Sequence, residues 1–374
     1  MSLFLLSFVS IYGLMHYVVW RGVRPLLPHH PLTFPLALCW VLLMIAAPLV
    51  SRLFESRGAD LPARIAAWCG YLWLGFLFIA FSLFLLRMFI FFIPQLLKRF
   101  APLLVFGPIN ESVSALAVLI LTLLLGSYAL FAAAHIRVET VRMTTAALPS
   151  EITQLRLVQI SDLHLGLIHR EGMLRSVVEK IQQLHPDLLV ATGDMVDARL
   201  DHLEGLLPLL TSLRPPLGKY AVTGNHEVYA GMKSALDFLR QGGFTLLRNQ
   251  RETIRPGLII AGVDDQATGA ARPVEEILPV VREGFTLLLK HRPLVSAASL
   301  GRFDLQLSGH THRGQIFPFN LLTALHFPQQ SGFYPLAAGS YLYTSRGTGT
   351  WGPPMRLFSS PEITLFIIER PLSP

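Results

Sequence analysis

The sequence predicts an N-terminal α-helical membrane region followed by an α/β domain, and two observations carry that reading. The first is where the apolar residues fall. The chain has 374 residues, 52% hydrophobic and only 15% charged. The excess is gathered in four stretches, Leu3–Trp20, Phe34–Val50, Trp68–Ile93 and Val113–Ala134. Each approaches or exceeds the ~18–20 residues that a helix needs to cross a hydrocarbon core. A cleaved leader is followed by a soluble chain, not by three more such stretches, so the first is read as a helix that stays. The second observation is a change of pattern after Ser150. Short, β-rich apolar runs follow one another: "LRLVQI", "PDLLVATG", "KYAVTG", "LIIAGV", "FTLLLK" and "FDLQLSG". Turns or amphipathic stretches such as Gly172–Leu184 and Gly231–Arg240 separate the runs as far as residue 263. Runs of this kind suit strands buried on both faces of a sheet. The expected organisation is a membrane region over 1–136 with about four transmembrane helices, a linker over 137–153 containing "TTAALPS", and the α/β domain over 154–374.

The charge is distributed to match. The net +7 invites a nucleic-acid reading, but residues 1–149 hold ten Lys and Arg against four Asp and Glu, leaving 21 against 20 for the remainder. The excess therefore sits beside the apolar stretches, where Arg and Lys anchor helix ends at headgroups. A phosphate-tracking groove needs clustered basic residues on the soluble part, so nucleic acid is not the expected principal partner. With four spanning helices, Arg52, Arg57, Arg64, Arg137 and Arg142 face Arg21, Arg24, Lys98 and Arg99 across the membrane. Five against four favours a cytoplasmic α/β domain in a multi-pass inner-membrane protein. Arg87 lies within the third stretch and is read as reaching for the interface. Cys39 and Cys69 are read as lipid-facing or packed thiols.

The polar residues at the ends of the apolar runs are the informative ones. Asp162 and His164 follow "LVQI"; Asp194 and Asp197 follow "LLVATG"; Asn225, His226 and Glu227 follow "YAVTG". His291 follows "FTLLLK", and His310 and His312 follow "LQLSG". Loops beyond the carboxyl ends of strands converge over a rigid platform, which is where α/β sheets bind ligands. In an extended segment residues i and i+2 project to one side, so Asp162 with His164, and His310 with His312, are expected as facing pairs. Asp162, His164, Asp194, Asn225, His291, His310 and His312 together offer oxygen and imidazole donors without thiolate. That set suits Mn, Fe, Zn or Co. Seven ligands are too many for one open site and fit two divalent ions sharing a carboxylate, an arrangement suited to phosphoryl transfer. His226, beside Asn225, is placed to protonate a leaving group as the catalytic acid. His29, His30, His135, His169, His185 and His202 show no such spacing and are read as surface or interfacial.

The ordered set "DLH", "GDMVD", "GNHE", "KHRP" and "GHTH" resembles the calcineurin-like metallophosphoesterase superfamily, and the membrane-anchored bacterial phosphodiesterase branch within it. The resemblance covers about residues 154–369, including "AGVDD" and the closing "SRGTGT". It implies a four-layer αββα sandwich. It also implies one metal on Asp162, His164 and His312 and another on Asn225, His291 and His310. Asp194 would bridge them, His226 would act on the phosphate or leaving group, and Asp197 would orient an active-site histidine. Arg313 departs from the branch, which often has Gly there; it either contacts an anionic substrate or points to solvent. Asp264 and Asp265 either line the pocket or form a turn, and Arg346 either binds phosphate or anchors its loop. The expected activity is hydrolysis of a phosphodiester or pyrophosphate bond in a phosphorylated lipid or lipid-linked nucleotide, within lipid metabolism. The alternative is a transporter or sensor whose soluble half binds ligand without turnover. A complete ligand set and the scarcity of charge in the apolar stretches weigh against it. A protein phosphatase has no supporting feature.

Overall fold

The computed structural model describes residues 2–100, 110–197 and 203–371; His202 lies outside them. The chain divides into two compact units, Met1–Phe131 with Gly352–Leu357, and Ala132–Trp351 with Phe358–Pro374.

The first unit contains α1 (Ser2–Val23), α2 (Thr33–Ser56), α3 (Asp60–Phe100) and α4 (Glu111–Ala134). Among the described residues, three helices are long and apolar enough to cross a membrane: Thr33–Ser56, Asp60–Ile93 and Glu111–Ala134. The first expected span, Leu3–Trp20, does lie within a helix, but α1 is not one of the three. Ser7, Ser10, His16 and Arg21 interrupt its apolar run. These polar groups are used inside the unit: His16 Nδ1 lies 2.8 Å from Tyr12 O, and Trp73 Nε1 donates to His16 Nε2 at 2.9 Å. Arg87 Nε donates to Ser114 Oγ at 2.9 Å, at the start of α4, so its charge meets a polar helix end. Cys39 and Cys69 are free and exposed. The segment Gly352–Leu357 belongs to this unit: Arg356 is fully buried there, and its backbone N–H donates to Ala129 O at 2.9 Å.

The second unit opens with a correction. Arg137–Thr144, expected inside a linker, is the edge strand β1, paired in parallel with the last strand of the chain. Its alternation "RVETVRMT" has the period of a half-buried strand, which the linker reading overlooked. In chain order there follow β2 (Gln154–Ile160), α5 (Glu171–Gln183), β3 (Leu188–Ala191), α6 (Leu207–Thr211), β4 (Lys219–Ala221), α7 (Asn225–Gln241) and β5 (Thr245–Leu246). Then come β6 (Gln250–Arg255), β7 (Leu258–Val263), α8 (Val274–Ile277), β8 (Phe285–Lys290), β9 (Leu305–Ser308), α9 (Phe319–His326), β10 (Gly332–Pro335), β11 (Tyr341–Thr344) and β12 (Glu362–Glu369). They form two six-stranded sheets, β1-β12-β2-β3-β4-β5 and β10-β11-β9-β8-β7-β6.

Alternate residues of the inner strands serve two cores, as the two-residue period of a strand requires. Leu155, Leu157, Leu188 and Val190 face Ile260, Phe285, Leu287 and Leu305 between the sheets. Val158, Ile160, Leu189 and Ala191 face Leu174, Val177, Leu210 and Phe238 of α5, α6 and α7. The far side of the second sheet is covered more thinly, by α8 and the residues around Phe303 packed on Ala261, Val263 and Leu288. The four-layer expectation is met with one thin outer layer. What matters for function is direction: β2, β3 and β4 run parallel in one sheet and β8 and β9 in the other. Their carboxyl ends carry the turns of interest.

Candidate metal centre

Five turns, each at the end of one of those strands, supply the side chains. The turns are stitched to one another through the backbone: Asp162 N–H donates to Gly193 O and His164 N–H to Asp194 O, both at 3.0 Å, and Gly309 N–H donates to His291 O at 2.8 Å. The expectation that Asp162 and His164, or His310 and His312, pair by strand alternation is not what the backbone does. Asp162, His164, Asp194, His310 and His312 all have left-handed backbone, with φ of 54, 50, 53, 73 and 47°. Non-glycine residues pay for that conformation, and such strain gathers at functional sites. Two glycines keep the turns close. A Cβ on Gly224 would come within 2.1 Å of Asp194 Oδ1, and one on Gly309 within 2.3 Å of Asp162 Oδ2.

The structure brings the predicted side chains into two neighbouring clusters. Asp162, His164 and His312 form one, and Asp194, His291 and His310 the other; within each, potential ligand atoms lie within 4.8 Å of one another. In the first cluster His164 Nε2 and His312 Nε2 are 3.0 Å apart, and His312 Nε2 is 3.5 Å from Asp162 Oδ1. In the second, His291 Nε2 is 3.1 Å from both Asp194 Oδ2 and His310 Nδ1. Asp194 also groups with His164 and His226, its Oδ2 lying 4.0 Å from His164 Nε2, so its carboxylate stands between the clusters.

The donor set fits divalent cations on three counts. The Asn225 side-chain oxygen is buried with no hydrogen-bond partner, an orphan of the kind that normally costs stability. His291 Nδ1 lies 2.8 Å from Thr192 O, and an N–H donated there leaves Nε2 on the side of Asp194 and His310, where it could meet a cation. Burial, with the nearby His226 and His291 charges respectively, pushes His164 and His310 down to about 3, which leaves them neutral, the form that could ligate a metal. His291 goes the other way, to about 10, because burial is outweighed by the Asp194 carboxylate beside it. Burial raises the Asp162 carboxyl to about 6, Asp194 adding to the effect. Burial also opposes ionisation of Asp194, but His291 holds that carboxylate well below its usual range. The centre is a buried place where acidic groups call for positive charge.

His226 stands at the edge of the clusters. Its Nδ1 is 2.5 Å from Asp197 Oδ1, and its ring lies edge-on to Tyr229 and Trp351. Burial opposes protonation of this ring, but the Asp197 hydrogen bond and the Asp194 charge outweigh it and raise the pKa.

Sequence reasoning missed Glu227. It quoted "GNHE" and gave the last residue no role. Glu227 is fully buried, and its two oxygens accept from Asp194 N (3.0 Å), Met195 N (2.7 Å), Val196 N (3.4 Å) and Gly224 N (2.7 Å). One carboxylate thus clamps the turn bearing Asp194 to the turn bearing Asn225. Burial and the Asp194 charge raise it to about 7. The available signal was its place at the third residue of α7, where an acid reaches back to the cap N–H. His169, read as surface, is half-buried with Nε2 2.6 Å from Thr350 Oγ1.

The residues left with alternatives have these surroundings. Asp264 accepts Arg248 in a fork and Thr223 Oγ1 at 3.0 Å. Asp265 pairs with Arg292 and caps the Gln266–Thr268 turn. Arg346 pairs with Glu362 and Glu139, so it anchors its loop. Arg313 is half-buried with left-handed backbone.

Strand-end turns thus gather clustered Asp and His over two paired mixed sheets, in groups that could hold metal ions. The comparisons give the family. The family model for calcineurin-like phosphoesterases matches residues 155–314. An uncharacterized metallophosphoesterase of Aquifex aeolicus is 39% identical over 256 residues, covering 67% of this chain and 98% of its own. A transmembrane protein with metallophosphoesterase domain from Danio rerio is 33% identical over 282 residues, 71% of this chain and 64% of that one. A solved dimetal phosphatase from Danio rerio is 13% identical with a TM-score of 0.32, over 52% of this chain and 87% of its own, which is too loose to carry an argument. The chain belongs to the calcineurin-like metallophosphoesterase family.

Proposed function

We propose that this chain hydrolyses a phosphodiester or pyrophosphate bond in an amphiphile, a phosphorylated lipid or lipid-linked nucleotide, using two divalent ions. The observation that carries the two-ion reading is the pair of clusters with the Asp194 carboxylate between them. Asp162, His164 and His312 would hold one ion and Asn225, His291 and His310 the other. The ions, of Mn, Fe, Zn or Co type, would activate a water and neutralise charge on the phosphoryl oxygens. His226 then serves as general acid. Asp197 receives its Nδ1–H, and as water oxygen bonds to phosphorus and the bond to the leaving oxygen breaks, the Nε2 proton passes to that oxygen. The raised pKa supports the protonated ring this requires.

The amphiphile is supported by the three helices able to cross a membrane. Attachment raises the effective concentration of a membrane-bound substrate without any new contact. The same reading makes the chain a multi-pass protein of the inner membrane with its catalytic unit in the cytoplasm, following the thin basic-residue margin. The test is release of nitrophenolate from bis-p-nitrophenyl phosphate by the full-length chain, with and without added Mn, beside metal analysis. Up to two ions per chain and metal-dependent release are expected. Metal binding without release would favour a ligand-binding role, and neither would remove the hydrolase mechanism. Cleavage of phospholipid or nucleotide-linked lipid diesters by the same chain in nanodiscs then decides the substrate class.

A further inference from the structure

The chain from Ile316 to Gln330 is an apolar excursion rooted in the metal-site turn. It leaves directly after His312–Gly314, where a Cβ on Gly314 would meet Asn320 N at 2.3 Å, and it returns where Thr311 Oγ1 donates to Gln330 O at 2.6 Å. Phe327 lies edge-on to His310 at 5.3 Å. The middle of the excursion is α9, and its amphipathicity is inverted. Phe319, Leu321, Leu322 and Leu325 are exposed, Leu325 by 82%, while Asn320, Thr323 and Ala324 are the half-buried ones. Spacings of three and four residues place Phe319, Leu322 and Leu325, and Leu321 with Leu325, on one side of the helix. Phe317, also exposed, meets the exposed Phe358 edge-on at 5.8 Å and extends the patch. No Asp, Glu, Lys or Arg occurs anywhere from Ile316 to Gln330.

We propose that this face enters the lipid bilayer, lying in the interface as a second membrane contact separate from the spanning helices. Contiguous exposed apolar surface of this kind marks an interaction site. Two observations choose lipid as the occupant. A partner protein of ordinary composition would be met by some charge at the rim, and this stretch has none. The chain itself carries three helices long and apolar enough to cross a membrane, the last of which ends two residues before β1 begins. Two residues reach no further than about 7 Å, so with those helices in a bilayer the chain of the unit bearing α9 would start close to its surface. The inference stands apart from the substrate assignment: it requires contact with lipid, not turnover of it. Its consequence for the enzyme is that lipid contact is made by the segment that continues directly from the turn carrying His310 and His312.

The test uses the full chain in phosphatidylcholine nanodiscs, with Cys39→Ala and Cys69→Ala as background. An environment-sensitive fluorophore is placed at Leu325→Cys, at Leu322→Cys, or at Lys233→Cys on the exposed side of α7, whose side chain is 93% exposed. Lipids brominated along the acyl chains should remove most of the emission at 322 and 325 and leave 233 nearly untouched, while aqueous iodide should do the reverse. Iodide quenching at 322 and 325 equal to that at 233 would overturn the proposal. Protection from both quenchers would overturn it too, since it would mean that protein, such as a second copy of this chain, covers the face.

Discussion

The two sheets contribute to the metal centre in contrasting ways. From the first come turns with no freedom: Asp194 and Asn225 stand on segments whose backbone N–H groups are gathered by the buried Glu227 carboxylate. From the second comes a turn whose candidate ligands, His310 and His312, lead into the exposed apolar excursion through α9. Both place imidazole or carboxylate within a few ångströms of the same centre. The difference teaches that one side sets geometry while the other connects that geometry to the surroundings. Substitutions on the first side should therefore damage chemistry and folding, and substitutions on the outer face of the second should spare both.

The largest effect is expected at Asp194. Asn keeps the shape and the hydrogen bond from His226 N–H but loses the charge that both clusters share. Turnover should fall to background, with metal content reduced. Near-parental turnover would mean that the carboxylate does not bridge. Glu227→Ala comes next. It strands four buried N–H donors, at roughly 1 kcal/mol or more each, so a loss of about 4 kcal/mol is expected. That is a large part of a domain's margin, and it should appear as a lowered melting temperature together with weaker metal retention. A variant melting like the parent would show that the clamp is decorative.

His226→Ala should cost roughly 10²–10⁴-fold in turnover with metal content near parental, and less on substrates with good leaving groups. Equal losses on good and poor leaving groups would remove it from the acid role. Asp197→Asn should cost about 10–100-fold, the usual worth of such a partner, and it carries a sign in pH. The protonated ring is the active form, so activity is lost as pH rises through the His226 pKa. Asp197 raises that value; without it the alkaline fall should move to lower pH. An unmoved profile would limit Asp197 to a structural role.

The sequence made the ligand set legible because every ligand follows an apolar strand, and strand ends are local signals. Six of the seven, Asp162, His164, Asp194, His291, His310 and His312, fall in the two clusters. What stayed hidden depends on long-range partners. Positive φ at Asp162 or His310 comes from which turn lies opposite. The role of Glu227 needs the turn at Asp194 beside it. Arg137–Thr144 shows a strand's alternation locally, but the partner that makes it a sheet edge, β12, lies more than 200 residues on. Gly352–Leu357 joins the helical unit although it sits deep in the second unit's sequence. The first apolar stretch lies within α1, where Ser7, Ser10 and His16 interrupt the apolar run.

The smallest effect sharpens the contrast most, because it compares one residue type in two places. Leu189 is fully buried in the core beneath the Asp194 turn, and Leu325 is 82% exposed on α9. Leu189→Ala removes buried methyl groups and leaves a cavity, at a cost of about 2–5 kcal/mol. Leu325→Ala removes the same atoms from a side chain that is 82% exposed, so unfolding of the detergent-solubilised chain should shift by no more than about 0.5 kcal/mol. Turnover of bis-p-nitrophenyl phosphate should also stay at the parental rate, since neither the ligand turns nor His226 is disturbed. The selective loss should appear only with bilayers, as weaker acyl-chain quenching of a label at residue 322. If Leu325→Ala instead destabilises the solubilised chain as Leu189→Ala does, α9 is packed in solution against something, and the division between a rigid inner side and an outward-facing one fails.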